Sequence, residues 1–108
     1  MQSAKANTLL QSIIDDVNKN GMNADSFIPK LQEAREFALK EEDPLVTRAL
    51  RLVWQHLESN GSFGIELAED IESEDENFAY FLSLCVKSDN TYNRDELREM
   101  TNALQALA

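Results

Sequence analysis

The sequence predicts an all-α fold, a compact single-domain bundle of about five helices over residues 1–108, with a short helical-repeat-like stack as the alternative. Three observations carry this. Apolar residues recur at helical spacing from one end of the chain to the other. Helix stop and start signals (Asn20–Gly21, Asp43–Pro44, Asn60–Gly61) fall about one helix length apart. Only three Gly and two Pro are present, too few for the many tight turns of an all-β chain. With 43% apolar residues, the chain has material for one modest core.

The elements follow in order. Leu9, Leu10, Ile13, Ile14 and Val17 obey the i, i+3, i+4, i+7 rule and predict a first helix over about residues 3–20. Gly21 then closes it, because glycine enters the left-handed conformation at little cost. Ser26 is expected to cap a second helix, with Pro29 in its first turn, where a missing N–H does little harm. Phe27, Leu31, Ala34 and Ala38 form its buried face, Phe37 and Leu39 widen it, and it should stop near Glu42.

Asp43 as cap and Pro44 as first helical residue restart the chain at once. So short a join makes the second and third helices antiparallel neighbours. The third, about 44–60, carries Leu45, Val46, Ala49, Leu50, Leu52, Val53, Trp54 and Leu57 around most of its circumference, which predicts the most buried helix. One such pair cannot establish a repeat array, since about three units are needed to bury the faces.

Over 65–72 a short amphipathic helix is expected, with Ile65, Leu67, Ala68 and Ile71 on one side and Glu66, Glu69 and Asp70 on the other. Ser73 followed by Glu76 matches the capping box and opens a helix to about Ser88, with Phe78, Phe81, Leu82 and Cys85 as its core stripe and Ala79 and Val86 beside it. Asn93 with Glu96 predicts the start of a last helix to about Leu107, whose seam is Leu97, Met100, Leu104 and Leu107.

The formal net charge is −10, and its distribution is uneven. Residues 66–76, ELAEDIESEDE, hold seven carboxylates, and no Lys or Arg occurs between residues 52 and 86. Phosphates repel such a chain, which counts against direct nucleic-acid binding and against docking on anionic membranes. No apolar run reaches the roughly 18 residues of a spanning helix. The first residues carry acids too close behind their apolar run for a signal peptide. The single cysteine cannot form an internal disulfide, and these features together predict a cytoplasmic protein.

Few constellations point to chemistry. Asp16, Asn18, Asn20 and Gly21 imitate the opening of a calcium loop, but Phe27 stands where the bidentate Glu is needed. His56 lacks a Glu three residues earlier, as a di-metal bundle requires, so no metal or other cofactor is expected. His56 and Cys85 are the only nucleophile and base candidates, and their spacing reads as a boundary imidazole and a core thiol. Trp54, on the most apolar helix, reads as core rather than as an interface anchor.

No enzyme is predicted. The expected function is a non-enzymatic protein-binding module, of the kind of a small acidic inhibitor, immunity or regulatory protein. It would present Glu66, Glu69, Asp70, Glu72, Glu74, Asp75 and Glu76 to a basic protein partner. The competing account is local: Glu66, Glu69 and Asp70 face water, and Glu74, Asp75 and Glu76 sit where a helix macrodipole favours negative charge. Two other readings are a structural or adaptor domain associating through the Leu97–Leu107 seam, and a low-affinity calcium binder at Asp16–Gly21 or the acidic run. Oligomeric state cannot be read from the sequence.

Overall fold

The computed structural model describes residues 1–63 and 73–107. The helices are α1 (Ala4–Asn20), α2 (Ala24–Lys40), α3 (Pro44–Asn60), α4 (Glu74–Val86) and α5 (Thr91–Ala106), and no strand occurs among the described residues. The short helix expected over 65–72 lies outside them. Cα atoms have a radius of gyration of 12.3 Å, the value of one compact domain of this length.

Each start is a side-chain cap. Ser3, Asn23, Asp43, Ser73 and Asn90 all accept backbone N–H groups that the first turn leaves without partners. Two of these differ from expectation. Asn23, not Ser26, caps α2, so Pro29 falls in the second turn rather than the first. Asn90 caps α5 in place of Asn93, because its Oδ1 accepts from both Tyr92 N (3.0 Å) and Asn93 N (3.2 Å). Glu96, expected in a capping box, instead accepts the Tyr80 hydroxyl at 2.6 Å and ties α5 to α4.

The α2–α3 join is a Schellman motif: Glu42 N–H donates to the Leu39 carbonyl and Asp43 N–H to the Ala38 carbonyl. That motif needs a left-handed residue, normally Gly. Here Glu42 adopts it, at φ 56°. The Glu41 carboxylate accepts from Gln2 N and Ser3 N and so fastens the start of α1 to the end of α2. At the far end of α4 the Met1 amine donates to the Cys85 and Val86 carbonyls and to Ser88 Oγ.

The helices pack in the sequential antiparallel manner that short joins impose, α1 on α2 and α2 on α3, while α4 returns against α1 and α5 closes across α3 and α4. The predicted faces of α1 and α2 are buried, except that Leu9 and Phe37 are only partly so and Leu39 is 45% exposed. Helix α3 is deeply buried as expected, with Trp54 only partly so. Helix α4 is buried at least as completely: Asn77, Phe78, Ala79, Phe81, Leu82, Leu84 and Cys85 all leave solvent.

The aromatic side chains explain why. Phe78 stacks on Phe27 of α2 at 5.8 Å and meets Phe63, beyond the end of α3, at 5.6 Å, and Phe63 reaches Phe81 at 6.4 Å. None of the four has exposed surface. Phe63 was not legible as core, because it belongs to no periodic segment.

Two outcomes follow. Phe78→Ala should cost about 3–5 kcal/mol in urea unfolding, the range for a large buried aromatic ring; a loss below about 1 kcal/mol would show that the cluster is not central. Pro29 is exposed and removes a hydrogen-bond donor inside α2. Pro29→Ala should therefore raise stability by about 1–2 kcal/mol, the helix gain less the chain entropy that proline withholds from the unfolded state.

Candidate functional site

Of the seven predicted binding carboxylates, Glu66, Glu69, Asp70 and Glu72 lie outside the described residues. Glu74, Asp75 and Glu76 form the first turn of α4, behind the Ser73 cap. Glu74 and Glu76 are exposed and Asp75 is half-buried. None of the three is ion-paired among the described residues, where the four ion pairs lie elsewhere.

The fold brings further acids toward them. The Asp75 carboxylate stands beside Gly21, the C-cap of α1, 3.6 Å from where a Cβ would be. Helix α2 starts three residues later, and the Phe27–Phe78 stack holds its first turn against α4. So the end of α1 and the starts of α2 and α4 share one end of the bundle. That end carries Asp15, Asp16 and Asp25 as well as Glu74, Asp75 and Glu76, with Lys19 as the cation of α1's last turn. Asp15, Asp16 and Asp25 are far from the acidic run in sequence, but the Asn20–Gly21 stop and the antiparallel return place them there.

Asp16 does not belong to a calcium loop. Residues 16–20 complete α1, Asn20 donates to Asp16 Oδ1 at 2.7 Å, and Phe27, at the required acid's place, is fully buried. Cys85 is buried among core side chains, and burial pushes its thiol up to about 12, so it stays protonated at neutral pH. His56 Nε2 donates to the Phe63 carbonyl, the only role that acceptor leaves it, and Asn60 stands beside Nδ1 at 3.3 Å. The imidazole thus holds the chain beyond α3 in place. The proposed association seam is largely interior: Leu97, Met100 and Leu104 are buried, and Leu107 alone is exposed, at 60%.

The five arginines divide into two groups. Arg94 and Arg98 hold carboxylates, Asp43 at 2.7 Å and Asp95 at 3.2 Å. Arg35, Arg48 and Arg51 instead line a groove of about 480 Å³ where α2 meets α3. Comparison with protein-family models, with curated proteins and with solved structures returns no match, so function must be argued from the chain's own surfaces.

Asp43 is the best-anchored carboxylate. Burial raises its pKa, but the hydrogen bonds from Arg94 and Val46 N–H, with the Arg94 charge, outweigh burial and hold it below the usual value. A depressed folded-state pKa gives stability that is full above the unfolded value of about 3.9 and disappears as pH falls through the folded one. Asp43→Asn keeps a capping oxygen but loses the charge. It should cost about 1–2 kcal/mol at pH 7, and the gap to the native protein should close below about pH 4 in pH-dependent urea unfolding. A gap independent of pH would sink the ion-pair account.

Proposed function

We propose that the protein is a non-enzymatic binding module whose acidic end receives a positively charged protein surface. The observation that carries this reading is the unpaired first turn of α4, Glu74, Asp75 and Glu76, joined by acids from α1 and α2 at the same end. An ordinary solvated face mixes charges of both signs. Here the local macrodipole favours the acids on α4, while Asp15 and Asp16, which accept from Gln11 and Asn20 within α1, have no ion pair among the described residues. Hydrogen bonds within α1 hold Asp15 and Asp16 but bring no positive charge, and a cationic partner would supply the missing counter-charge. Glu66, Glu69, Asp70 and Glu72, outside the described residues, belong to the same reading on sequence grounds alone. Complementary charge of this kind accelerates encounter and sets orientation more than it sets affinity. A small acidic inhibitor, immunity or regulatory protein acting in the cytoplasm fits this role.

The test compares two variants of equal charge. One carries Glu69→Gln, Asp70→Asn, Glu74→Gln and Asp75→Asn; the other neutralises Glu33, Glu36, Asp95 and Glu99. Proteins captured from native extract by the unaltered chain should be lost with the first variant and kept with the second. They should also be released near 0.5 M salt, where screening acts within roughly 4–5 Å. Equal capture by both variants would remove the acidic end from the mechanism.

A further inference from the structure

The groove between α2 and α3 departs from the charge pattern of the rest of the molecule. Three guanidiniums border it in a chain with twice as many acids as bases, and none is held by a carboxylate at hydrogen-bond distance. Arg35 has only Glu36 nearby, at 3.8 Å, and its Nε–H is buried with no hydrogen-bond partner. Arg48 is oriented by two neutral oxygens, Asn102 Oδ1 at 2.9 Å and Gln105 Oε1 at 2.5 Å, which fix its position and leave its charge intact. Arg51 is half-buried and has no hydrogen bond or ion pair among the described residues. A buried donor without a partner costs stability, and an adjoining unpaired cation adds to the demand for an anion.

The rest of the lining narrows the ligand. Leu39, Pro44 and Thr47 present carbon between the arginines, with Leu39 strongly exposed. Asp43 is already neutralised by Arg94, but Glu42 stands free at the groove's edge. That carboxylate, with the net charge of −10, repels polyphosphates, nucleic acid and anionic membranes. Planar carboxylates, each of single charge and beside an apolar neighbour, suit the site better, since the guanidinium fork matches a carboxylate in two-point geometry.

We propose that the groove bordered by Arg35, Arg48 and Arg51 binds an acidic peptide segment, its carboxylates meeting the arginines and an adjacent aliphatic side chain covering Leu39. This site is independent of the acidic end, and it makes the protein a two-faced adaptor.

The probe is acetyl-Leu-Glu-Glu-Leu-amide, titrated into the whole protein by NMR of backbone and arginine Nε–H resonances. Saturable shifts at Arg35 Nε–H, Arg51 and Leu39 are expected, with a dissociation constant of about 1 mM or tighter. Binding should weaken about tenfold for the corresponding Gln peptide and for Arg51→Gln, a change that breaks no bond of the fold. It should be unchanged in the Lys5→Gln, Lys19→Gln protein, which controls for net charge. Absence of saturable shifts, equal binding of the Gln peptide, or an unaffected Arg51→Gln protein would each overturn the proposal. Inorganic phosphate binding as tightly as the peptide would overturn it too, by showing a bare oxyanion site. So would the same shifts appearing on concentrating the protein alone, by assigning the groove to a second copy.

Discussion

Four phenylalanines with no exposed surface meet where three parts of the chain would otherwise separate. Phe27 comes from the first turn of α2, Phe63 from beyond α3, and Phe78 and Phe81 from α4. Large rings bury more apolar area than any other side chain here, and their offset contacts fix the angle at which the elements meet. The bundle's connections make this cluster indispensable. Joins of three residues hold α1, α2 and α3 together, but thirteen residues separate α3 from α4, and so long a connection does not by its length choose a packing site. The aromatic cluster chooses it. His56 assists by holding the Phe63 carbonyl.

A second constraint works at the opposite end. Asp43 caps α3, accepts from Arg94 of α5, and stands at the close of a Schellman turn that requires Glu42 in the left-handed region. One carboxylate thus joins three helices. Its partner arginine and the two side-chain oxygens that hold Arg48 bring α5 against α3, although the apolar seam of α5 is narrow.

These two constraints also arrange the charge. The aromatic cluster draws the acidic start of α4 toward the ends of helices that carry acids of their own. The Asp43 junction places Arg35, Arg48 and Arg51 along one groove, where no carboxylate among the described residues stands at hydrogen-bond distance from them. A chain of net charge −10 thus folds into a body with acids gathered at one end and three arginines along a groove.

The sequence by itself determined the helical class, the extent of α1, α3 and α4, and most of each buried face. Those properties depend on residues three or four positions apart and on caps adjoining the helix, and both are visible in a linear string. It misplaced two caps because Asn23 and Ser26, like Asn90 and Asn93, are chemically equivalent candidates; which one wins depends on where the chain enters the helix. The depth of α4 and the core position of Phe63 were beyond it, since lateral packing joins residues distant in sequence. The same holds for the candidate surfaces. The acidic turn at Glu74, Asp75 and Glu76 was legible as a run of like residues. Its companions Asp15, Asp16 and Asp25, and the groove that joins Arg35 to Arg48 and Arg51, exist only once antiparallel packing has brought separate helices side by side.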